Sequence, residues 1–511
     1  MSRGPNPLVP GFNPDPSIVL ADDAYYLVTS TFEYLPGIPV YRSTDLAEWT
    51  QIGNVATRPE QLLIGDVPTG LGVWAPTIRY REGTFYVIVT VPMSPKGCVV
   101  YTATDPAGPW DDGTTIEGVS GIDPDLTWDD EGAAYVTFSG INFDGGGHLG
   151  VQQVRADLTA GKALEEPRSL WSGTGLKFPE APHLYHRGDW WYLLIAEGGT
   201  ERGHSVSVAR GRSPEGPFEG HPANPVLSAR STPRPIQNTG HADLVDTPDG
   251  GSALVLLGMR PLGATVAFSP LGRETFVTDV AWVDDWPQPE PVELAPRAGT
   301  STEEFDFAAG DLSDPGWLAV RTLPTEVATT DGGRLVLTGD GRTMADRHPR
   351  FVGRRQRHHI STVAVRLDVT AGTGGLASRY DEHSWYGLEA HTDGGSTTVT
   401  ARARVSGLAQ DWTATLPAGE VELRIETRLP AGGFSPEAMG GDRIRLVAAA
   451  GGEDVEVTEL DGRFWSAEVC ASFTGRVVGP YAVDGTVAVA GYRYTGSESS
   501  EQHRPGEVTP H

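Results

Sequence analysis

The sequence predicts an all-β protein in which a five-bladed β-propeller is followed by an antiparallel β-sandwich. Two patterns support this prediction. A tyrosine-led apolar run recurs through the first half, and strands of alternating apolar and polar residues fill the second half. In addition, no segment has helical periodicity of useful length. The chain has 511 residues, which is enough for more than one domain.

The repeat in the first half defines the blades. Its anchor residues are Tyr26, Tyr86, Tyr135, Tyr192 and, in a weaker copy, Ala253, which follow one another at intervals of 60, 49, 57 and 61 residues. Units of this length, built from short strands and turns rich in glycine and proline, are typical of a β-propeller. Five copies therefore predict five blades within residues 1–286.

A change of composition after Trp286 marks the end of the predicted propeller. Residues 287–302 are rich in proline and polar residues, so we interpret them as a linker. Residues 303–495 form a second all-β region, because segments such as 362–369 alternate apolar and polar side chains and predict a sandwich. Residues 496–511 are rich in Ser, Glu and Pro, and we expect them to be a disordered tail.

Five residues fall at almost the same place in each repeat. Trp74, Asp123, Glu180 and His241 stand twelve residues before their anchors, and Asp15 stands eleven residues before the first anchor. The innermost strands of a propeller line its axis, so equivalent residues on them form a ring. A purely structural ring would be small or apolar, because uncompensated buried charge costs free energy. Three acids in this ring therefore predict a chemical role.

Three carboxylates around one axis suit the hydrolysis of a glycosidic bond. That reaction needs a general acid at the leaving oxygen and a base or nucleophile on the other face of the sugar. Glu180 has the longer reach and is the better proton donor, because a neighbouring carboxylate and partial burial would raise its pKa. Asp15 is then the base toward water. Each acid taken singly could instead be a turn residue beside proline, but turn residues need not share a register.

The two other ring residues each allow two interpretations. Trp74 could belong to the hydrophobic core, or it could be a platform on which a sugar ring stacks. His241 could be a neutral core histidine, or it could bind an ion or a water molecule in the axial channel. The sequence alone leaves both alternatives open.

The composition of the chain argues against some classes of binding partner and indicates a cellular compartment. The formal net charge of -28, with a pI of about 4.8, argues against binding to nucleic acid or to anionic membranes. Cys98 and Cys470 lie in apolar stretches and are expected to be buried free thiols, consistent with a reducing compartment. No apolar run approaches the ~18 residues of a membrane span, and the N-terminus lacks a signal-type segment. We therefore expect a cytoplasmic protein.

The residues that carry these predictions resemble glycoside hydrolase family 43, and within it the β-xylosidases with a C-terminal sandwich. The resemblance covers the chain to about residue 286 and rests on an ordered series of motifs. Those motifs are residues 6–8, 11–18, 30–38, 73–76, 180–183, 196–200, 240–242 and 270–275. A single Asn-Pro-Asp-Pro motif would be weak support, whereas the whole series is specific.

The resemblance implies an inverting mechanism with assigned roles. Asp15 is similar in position to the general base, Glu180 to the general acid, and Asp123 to the residue that orients Glu180 and raises its pKa. The residues implied to hold the non-reducing pentose are Phe32, Trp74 and Arg260. An inverting enzyme is expected to separate the Asp15 and Glu180 carboxyls by roughly 6.5–9.5 Å.

The resemblance also raises the question of a metal ion. No cofactor is expected to be required, but similar enzymes place a histidine like His241 in the axial channel, sometimes near a divalent cation such as calcium. Three departures from the family pattern bear on the electrostatics of the pocket. They are Thr77, Asp125 and Asp243, of which Asp125 could share a strand face with Asp123 and be confused with it.

The second domain resembles its family counterpart loosely. In such enzymes a loop of the sandwich can lean over the pocket, and Phe473 within residues 471–475 is the best candidate. Phe473 could equally belong to the sandwich core. A pocket closed in this way would favour the removal of single terminal sugars over cutting within a chain.

We therefore predict an exo-acting, inverting enzyme that releases xylose from the non-reducing end of β-1,4-xylo-oligosaccharides, with α-L-arabinofuranosidase as a side activity. Its expected partners are the xylo-oligosaccharide and further copies of the same chain in a homo-oligomer. The alternatives are an α-L-arabinofuranosidase as the main activity and a sugar-binding propeller without catalysis. A fructan or sucrose hydrolase is a further rival, but the first acid of those enzymes lies in a different local sequence.

Overall fold

The computed structural model describes residues 4–498 except 143, 144, 146, 264, 266, 308–310 and 431–434. The first domain consists of five antiparallel sheets, each of which starts with its innermost strand. Two-residue hairpins such as Glu82-Gly83, where both residues have positive φ (50° and 80°), match the twist of the strands that they join. The innermost strands of the five blades begin at Ser17, Trp74, Gly121, Glu180 and Gln237, so the predicted five-bladed propeller is confirmed.

The strands of the propeller follow one another along the chain. Blade 1 has β1 (Ser17–Ala21), β2 (Ala24–Val28), β4 (Gly37–Ser43) and β5 (Thr50–Ala56), with β3 (Tyr34–Leu35) outside the blade. Blade 2 has β6 (Trp74–Arg81), β7 (Thr84–Val91), β8 (Gly97–Ala103) and β9 (Thr114–Thr115). Blade 3 has β10 (Gly121–Trp128), β11 (Ala134–Asn142), β12 (Gly147–Asp157), β13 (Lys162–Ala163) and β14 (Arg168–Trp171). Blade 4 has β15 (Glu180–Arg187), β16 (Trp190–Glu197), β17 (Ser205–Gly211), β18 (Glu219–Gly220) and β19 (Leu227–Ser228). Blade 5 has β20 (Gln237–Asp246), β21 (Ser252–Met259), β22 (Glu274–Val283) and β23 (Trp286–Pro289).

The propeller is a closed ring. Each innermost strand contacts the next one, and β20 contacts β1. The N-terminal segment stabilises this closure, because the side-chain Nδ2 of Asn6 donates to the carbonyl oxygens of Val277 (2.9 Å) and Glu293 (2.8 Å). Apolar side chains such as Val87, Leu194 and Val255 fill the space between blades. The inner strands are thereby held in a fixed orientation around the axis.

The second domain is an antiparallel sandwich, as predicted. Its core contains Trp317, Tyr386 and Tyr492, and its longest strands pair with each other over most of their length. The strands are β24 (Thr300–Phe305), β25 (Leu318–Val320), β26 (Ala328–Asp331), β27 (Arg334–Asp340), β28 (Arg350–Arg355), β29 (Ile360–Arg379), β30 (Ser384–Asp393), β31 (Ser396–Val405), β32 (Leu408–Pro417), β33 (Val421–Arg428), β34 (Arg443–Ala450), β35 (Glu453–Asp461) and β36 (Val477–Ser497). The helices are α1 (Pro324–Val327) and α2 (Ala467–Cys470), with 3-10 turns at Pro59–Gln61, Asp311–Ser313 and Gly462–Trp465. Across the described ranges, every helix is too short and too polar to be a candidate membrane span.

The predicted boundaries of the linker and of the tail are wrong. Residues 286–289 form the outer strand of blade 5, because they pair with β22, and residues 300–302 already belong to β24, which pairs with β36. The last strand continues to Ser497, so residues 496 and 497 are ordered by pairing with β24 and β29. Residues 499–511 of the predicted tail lie outside the described residues. These segments contain proline and polar residues, which argue against strands in a sequence, so the edge strands there were not predicted.

The two domains share a contact that the sequence does not reveal. The short strand β3 leaves blade 1 and pairs with β25 of the sandwich, where Leu35 lies opposite Ala319. Phe12 and Tyr34 of the propeller pack with Phe351 and other side chains of the sandwich in one buried cluster. The sandwich therefore packs directly against the rim of the propeller that carries the predicted ring.

Candidate active site

A repeated backbone feature points side chains toward the propeller axis. Each inner strand has a partner residue opposite the anchor of its blade. Four residues before that partner, on the inner strand or just before it, stands a residue with φ between 42° and 55°. In blades 2, 3, 4 and 5 a bulge also interrupts the strand pairing at this place. Bulges of this kind redirect a side chain and are common beside active sites. The five residues are Asp15, Ala75, Asp123, Ala181 and His241.

The predicted register was therefore correct for three ring residues and displaced by one for two. Trp74 and Glu180 each precede the positive-φ residue of their blade. The displacement arises from the length of the hairpin between the first two strands of a blade. This hairpin has two residues in blades 1, 2 and 4 but five in blades 3 and 5, so one constant distance from the anchor cannot fit all five blades. Both side chains still reach the site, since they stand at the end of an inner strand.

The ring residues converge on one cavity of about 320 Å³ at the axis. All three predicted acids line it, together with Trp74 and His241. A volume near the lower end of the ~300–1,000 Å³ range of ligand pockets suits a ligand of one or two sugar rings. The remaining lining residues are Phe32, Ala75, Ile122, Ile141, His148, Phe178, Gly199, Thr200, Glu201, Arg273 and Phe473.

Asp15 lies in an environment that keeps its carboxylate charged. One oxygen accepts from Nη1 of Arg273 (2.8 Å) and the other from the Ser30 hydroxyl (2.6 Å). Burial raises the pKa of Asp15, but the charge of Arg273 and the hydrogen bond from Ser30 outweigh burial, and the pKa ends below its ordinary value. Asp15 is therefore ionised at neutral pH and can accept a proton.

Glu180 lies in the opposite electrostatic situation. Burial raises its pKa well above the ordinary value, and the nearby charges of Asp123 and Asp15 raise it further. The carboxylate of Asp123 accepts from the backbone N–H of Ala181 (3.0 Å), directly after Glu180. Burial and the charge of Asp15 raise the pKa of Asp123 too. A buried carboxyl group beside two others keeps its proton, so Glu180 is suited to donate one.

Aromatic rings form one wall of the pocket. Phe473 of the sandwich stacks on Phe32, with ring centroids 5.9 Å apart, and meets Trp74 edge-on at 5.8 Å. Phe473 is 37% exposed, so it faces the pocket and does not belong to the sandwich core. This wall offers apolar faces of the kind that pack against the C–H groups of a sugar ring.

Arg260 was predicted to hold the substrate in the pocket, but it does not line the pocket. Arg260 is buried beyond the pocket, where its guanidinium forms a two-fold ion pair with Glu274 (2.7 and 2.8 Å) and a third contact with Glu498 (2.8 Å). The arginine in the pocket is Arg273, which also donates to the hydroxyl of Thr200 (3.2 Å). Arg273 stands in the motif 270–275 that carries the resemblance, which is the sequence signal that could have identified it.

Asp125 does not compete with Asp123 for the pocket. The bulge between Ile122 and Asp125 breaks the strand alternation, so the two acids do not share a face. Asp125 points along the axis to Arg79, whose guanidinium contacts Asp125 (2.5 Å) and Asp243 (2.9 Å). Two of the three departures from the family pattern, Asp125 and Asp243, thus form one buried network with a fixed arginine.

His241, the residue predicted to bind an axial ion, lies in the active-site pocket. No three His, Cys, Asp or Glu side chains of the described chain come together as a metal site, and the guanidinium of Arg79 supplies the positive charge in the axial channel. His241 lies in the pocket with Nδ1 3.7 Å from Asp15. Burial lowers the pKa of His241 to about 3, so the ring is neutral. The described geometry therefore places the ring of His241 beside Asp15.

The sequence prediction missed the outer part of the pocket. Phe178 is 41% exposed and its ring lies 4.8 Å from that of His148. Glu201 lies nearby and pairs with Lys177. Phe178 lies just before β15, His148 lies at the start of β12, and Glu201 lies after β16. None of these positions belongs to the register that the inner strands repeat, so the repeat could not identify them.

Two family models match the chain and together cover most of it. The model described as glycosyl hydrolases family 43 matches residues 4–287. The model described as the beta xylosidase C-terminal concanavalin A-like domain matches residues 304–493. Both matches agree with the resemblance seen in the motifs and with the two domains of the structure.

Similar proteins support the same assignment over the whole length. A non-reducing end alpha-L-arabinofuranosidase of Bacteroides ovatus is 36% identical, with 93% of this chain and 90% of that protein covered. A xylosidase/arabinosidase of Humicola insolens is 32% identical, with 96% of each chain covered. The crystal structure of a xylan beta-1,4-xylosidase of Bacillus halodurans superposes with a TM-score of 0.85 at 28% identity, covering 96% of this chain and all of that one. The chain belongs to glycosyl hydrolase family 43 and is a glycosidase.

Proposed function

We propose that this glycosidase is an exo-acting, inverting β-1,4-xylosidase that releases xylose from the non-reducing end of xylo-oligosaccharides. The observation that carries the proposal is the opposite electrostatic environment of two carboxyl groups in one small pocket. The pKa of Asp15 is lowered beside Arg273, whereas the pKa of Glu180 is raised by burial and by Asp123. Such a pair supplies a base and an acid at the same pH.

The proposed reaction is a single displacement. Ionised Asp15 takes a proton from a water molecule while the water oxygen forms a bond to the anomeric carbon. The bond to the leaving oxygen breaks as Glu180 gives its proton to that oxygen, so Glu180 ends ionised and Asp15 ends protonated. Asp15 then releases one proton to solvent and Glu180 takes one up, which restores both groups.

Asp123 acts on the reaction through Glu180. Its carboxylate accepts from the N–H of Ala181 at 3.0 Å, which fixes the backbone beside the acid, and its charge helps to keep Glu180 protonated. Asp123 is thus a positioning residue in this proposal. His241, as a neutral ring beside Asp15, contributes a polar edge near the base.

Exo action is supported by the aromatic wall. Phe32, Trp74 and Phe473 meet at centroid distances of 5.8–6.5 Å and close one side of the 320 Å³ cavity. A closed wall leaves room for a terminal sugar but not for a chain that continues in both directions. The exposed ring of Phe178 is then the surface on which the second sugar rests.

The alternative main activity is that of an α-L-arabinofuranosidase. It is favoured by the name of the Bacteroides ovatus relative, which is 36% identical over 93% of this chain. Both terminal sugars are pentoses of the same composition, so a small pocket can accept either. Initial rates on xylobiose, 4-nitrophenyl β-xyloside and 4-nitrophenyl α-arabinofuranoside separate the alternatives. We expect turnover of xylobiose and a higher kcat/KM on the β-xyloside than on the α-arabinofuranoside, and a preference for the α-arabinofuranoside would reverse the assignment.

The acid role is tested with Glu180→Gln. We expect kcat/KM on xylobiose to fall by about 10³-fold, because the poor leaving group needs protonation, and to fall far less on an aryl xyloside with a good leaving group. Glu201→Gln, in the same pocket, is the matched control and should show no such difference between substrates. Equal losses on both substrates in Glu180→Gln would remove Glu180 from the acid role.

A further inference from the structure

Residues 67–73 form a loop that leads into β6, the innermost strand of blade 2, and side chains of the sandwich hold its start. The carbonyl oxygen of Val67 accepts from Nε of Arg321 (3.3 Å) and from Nη2 of Arg347 (2.7 Å). Nη1 of Arg321 also donates to the carbonyl oxygen of Arg347 (2.9 Å), so the two arginines are fixed to each other. The loop therefore begins at a point that the sandwich determines.

A single hydroxyl group joins the middle of the loop to an acid of the sandwich. Oγ1 of Thr69 donates to Oε1 of Glu382 (2.5 Å) and accepts from Nη2 of Arg321 (2.9 Å). The other oxygen of Glu382 accepts from Nη2 of Arg379 (3.3 Å), which is buried. Burial raises the pKa of Glu382, but the hydrogen bond from Thr69 and the charge of Arg379 outweigh burial, and the pKa ends below its ordinary value. The hydrogen bond from Thr69 is thus of the strong kind that a charged acceptor makes.

The end of the loop holds two residues of the aromatic wall. The carbonyl oxygen of Gly70 accepts from the indole Nε1 of Trp74 at 3.0 Å. Val73 and Phe32 exchange two backbone hydrogen bonds of 3.0 and 3.1 Å. Trp74 lines the active-site cavity, so the direction of the Gly70 carbonyl bears on the orientation of a ring in the pocket.

Gly70 cannot fix the direction of its own carbonyl group. Its φ is 80°, and a Cβ at this position would meet no atom within 4 Å, so neither a side chain nor a close neighbour restricts its backbone. Thr69 is the adjoining residue, and its hydroxyl is held on both sides by the sandwich. The anchoring of Thr69 is therefore what limits where the Gly70 carbonyl points.

We propose that Thr69 and Glu382 are positioning residues for the substrate: their hydrogen bond fixes the Gly70 carbonyl, which holds the indole of Trp74 at the angle at which it contacts the terminal sugar. Neither Thr69 nor Glu382 lines the cavity, so both act through Trp74. The inference rests on the part of the proposed function in which the aromatic wall contacts that sugar, and not on the preference for xylose.

Steady-state kinetics of Thr69→Val test the proposal. The substrate is whichever of the two 4-nitrophenyl glycosides the wild type hydrolyses faster, so the result is independent of specificity. We expect KM to rise about threefold to tenfold while kcat stays within about twofold, because an apolar ring contacts the sugar in the ground state and in the transition state alike. Thr69→Ser keeps the hydroxyl and should restore the wild-type KM. Thr102→Val, which loses a comparable bond to Asp111 (2.6 Å) on β8 of the same blade, is the control and should leave KM unchanged.

A double variant tests whether the effect passes through the indole. Trp74→Phe keeps an aromatic ring but removes the N–H that the Gly70 carbonyl holds. In this background Thr69→Val should change KM by less than about 1.5-fold, whereas independent effects would multiply. Full multiplication would contradict the positioning role alone. An unchanged KM in Trp74→Phe itself would instead contradict the contact between Trp74 and the sugar, and with it that part of the proposed function.

The indole N–H of Trp74 gives a readout that needs no turnover. NMR of the full-length protein, isotope-labelled at the indole nitrogens of its 13 tryptophans, reports each N–H, and Trp74→Phe identifies the signal of residue 74. Thr69→Val should move this signal, while Thr69→Ser and Thr102→Val leave it in place. If Thr69→Val does not fold, Glu382→Met removes the same bond from the other side and replaces it in both measurements. An unmoved Trp74 signal, or an unchanged KM, in the variant that folds would overturn the proposal.

Discussion

The carboxyl groups of the pocket differ because their surroundings differ. Asp15 has an arginine and a hydroxyl as hydrogen-bond donors, at 2.8 and 2.6 Å, whereas Glu180 faces two other acids. Coulombic interaction in a buried site is strong enough for these neighbours to decide the protonation state. The assignment of acid and base thus follows from named contacts and not from the type of residue alone.

The role of Asp123 leads to a prediction about pH dependence. The charge of Asp123 raises the pKa of Glu180, so Asp123→Asn should lower that pKa and move the alkaline limb of kcat/KM to lower pH. At pH 8 we expect kcat/KM to fall at least about tenfold. A pH profile on xylobiose measures this, with Glu201→Gln as the control that should shift the limb less. An alkaline limb that stays in place would show that Asp123 does not tune the acid.

At the residue scale, the sequence predicted correctly which positions reach the pocket where the fold repeats. Asp15, Asp123 and His241 were found because the inner strands share one register, and this register reflects the backbone geometry at their positive-φ positions. Arg260 was mistaken for Arg273 because both flank the β21–β22 connection. Which of the two enters the pocket depends on the ion pair between Arg260 and Glu274, a contact that no local pattern encodes.

At the scale of elements, one segment of the sandwich completes the pocket. The turn at Gly462–Trp465 and helix α2 lead into Phe473, and Glu468 fixes this segment to the propeller by accepting from the N–H and the hydroxyl of Ser269 (2.8 and 2.7 Å). Arg273 adds a hydrogen bond to the carbonyl oxygen of Phe473 (3.3 Å). The wall of the pocket therefore depends on a contact between domains.

Removing the ring at position 473 should weaken turnover. Phe473→Ala exposes one side of the sugar to water and removes aromatic contact, so we expect kcat/KM on xylobiose to fall by about 10- to 100-fold. Phe464→Ala is the matched control, because Phe464 is 49% exposed and lies outside the pocket. Steady-state kinetics of both variants decide, and similar activity of Phe473→Ala and the control would mean that the wall does not contact substrate.

The axial network gives a prediction about the inner strands. Arg79 on β6 bridges Asp125 on β10 and Asp243 on β20, and both acids are fully buried. Arg79→Met would leave two buried carboxylates without a cation and should cost about 3–5 kcal/mol of stability. Arg81→Met, two residues later on the same strand, should cost less than about 1 kcal/mol because its ion pair with Glu82 is exposed. Urea unfolding of both variants provides the comparison, and an equal loss would contradict the bridging role.

At the scale of the whole molecule, the two domains form one catalytic unit. Strand β3 of the propeller pairs with β25 of the sandwich, and residues on both sides of this pairing line or support the pocket. The sequence predicted both domains, because each has its own periodic pattern. Their junction was not predictable, since the two residues of β3 are too few to carry a pattern.

Glu33 makes the domain contact sensitive to pH. Burial raises its pKa to about 7, opposed by Arg321, which lies across the contact. Because the folded pKa is above the ordinary value of 4.5, the protein loses stability as the pH rises from about 4.5 to about 7. Glu33→Gln removes this loss and should gain on the order of 3 kcal/mol relative to the wild type at pH 8, with little gain near pH 4.5.

Thermal unfolding at the two pH values measures the effect of Glu33. The Tm difference between Glu33→Gln and the wild type should widen from pH 4.5 to pH 8. Glu60→Gln on the exposed side of the propeller is the control, with no change of Tm at either pH. A constant difference across this range would mean that Glu33 titrates normally.

The stereochemistry of the product tests the central claim most directly. If Asp15 activates water on the face opposite Glu180, hydrolysis of a β-xyloside must first release α-xylose. Proton NMR of the sugar formed in the first minutes, before mutarotation, distinguishes the anomers. The account predicts α-xylose as the first product, and β-xylose as the first product would contradict it.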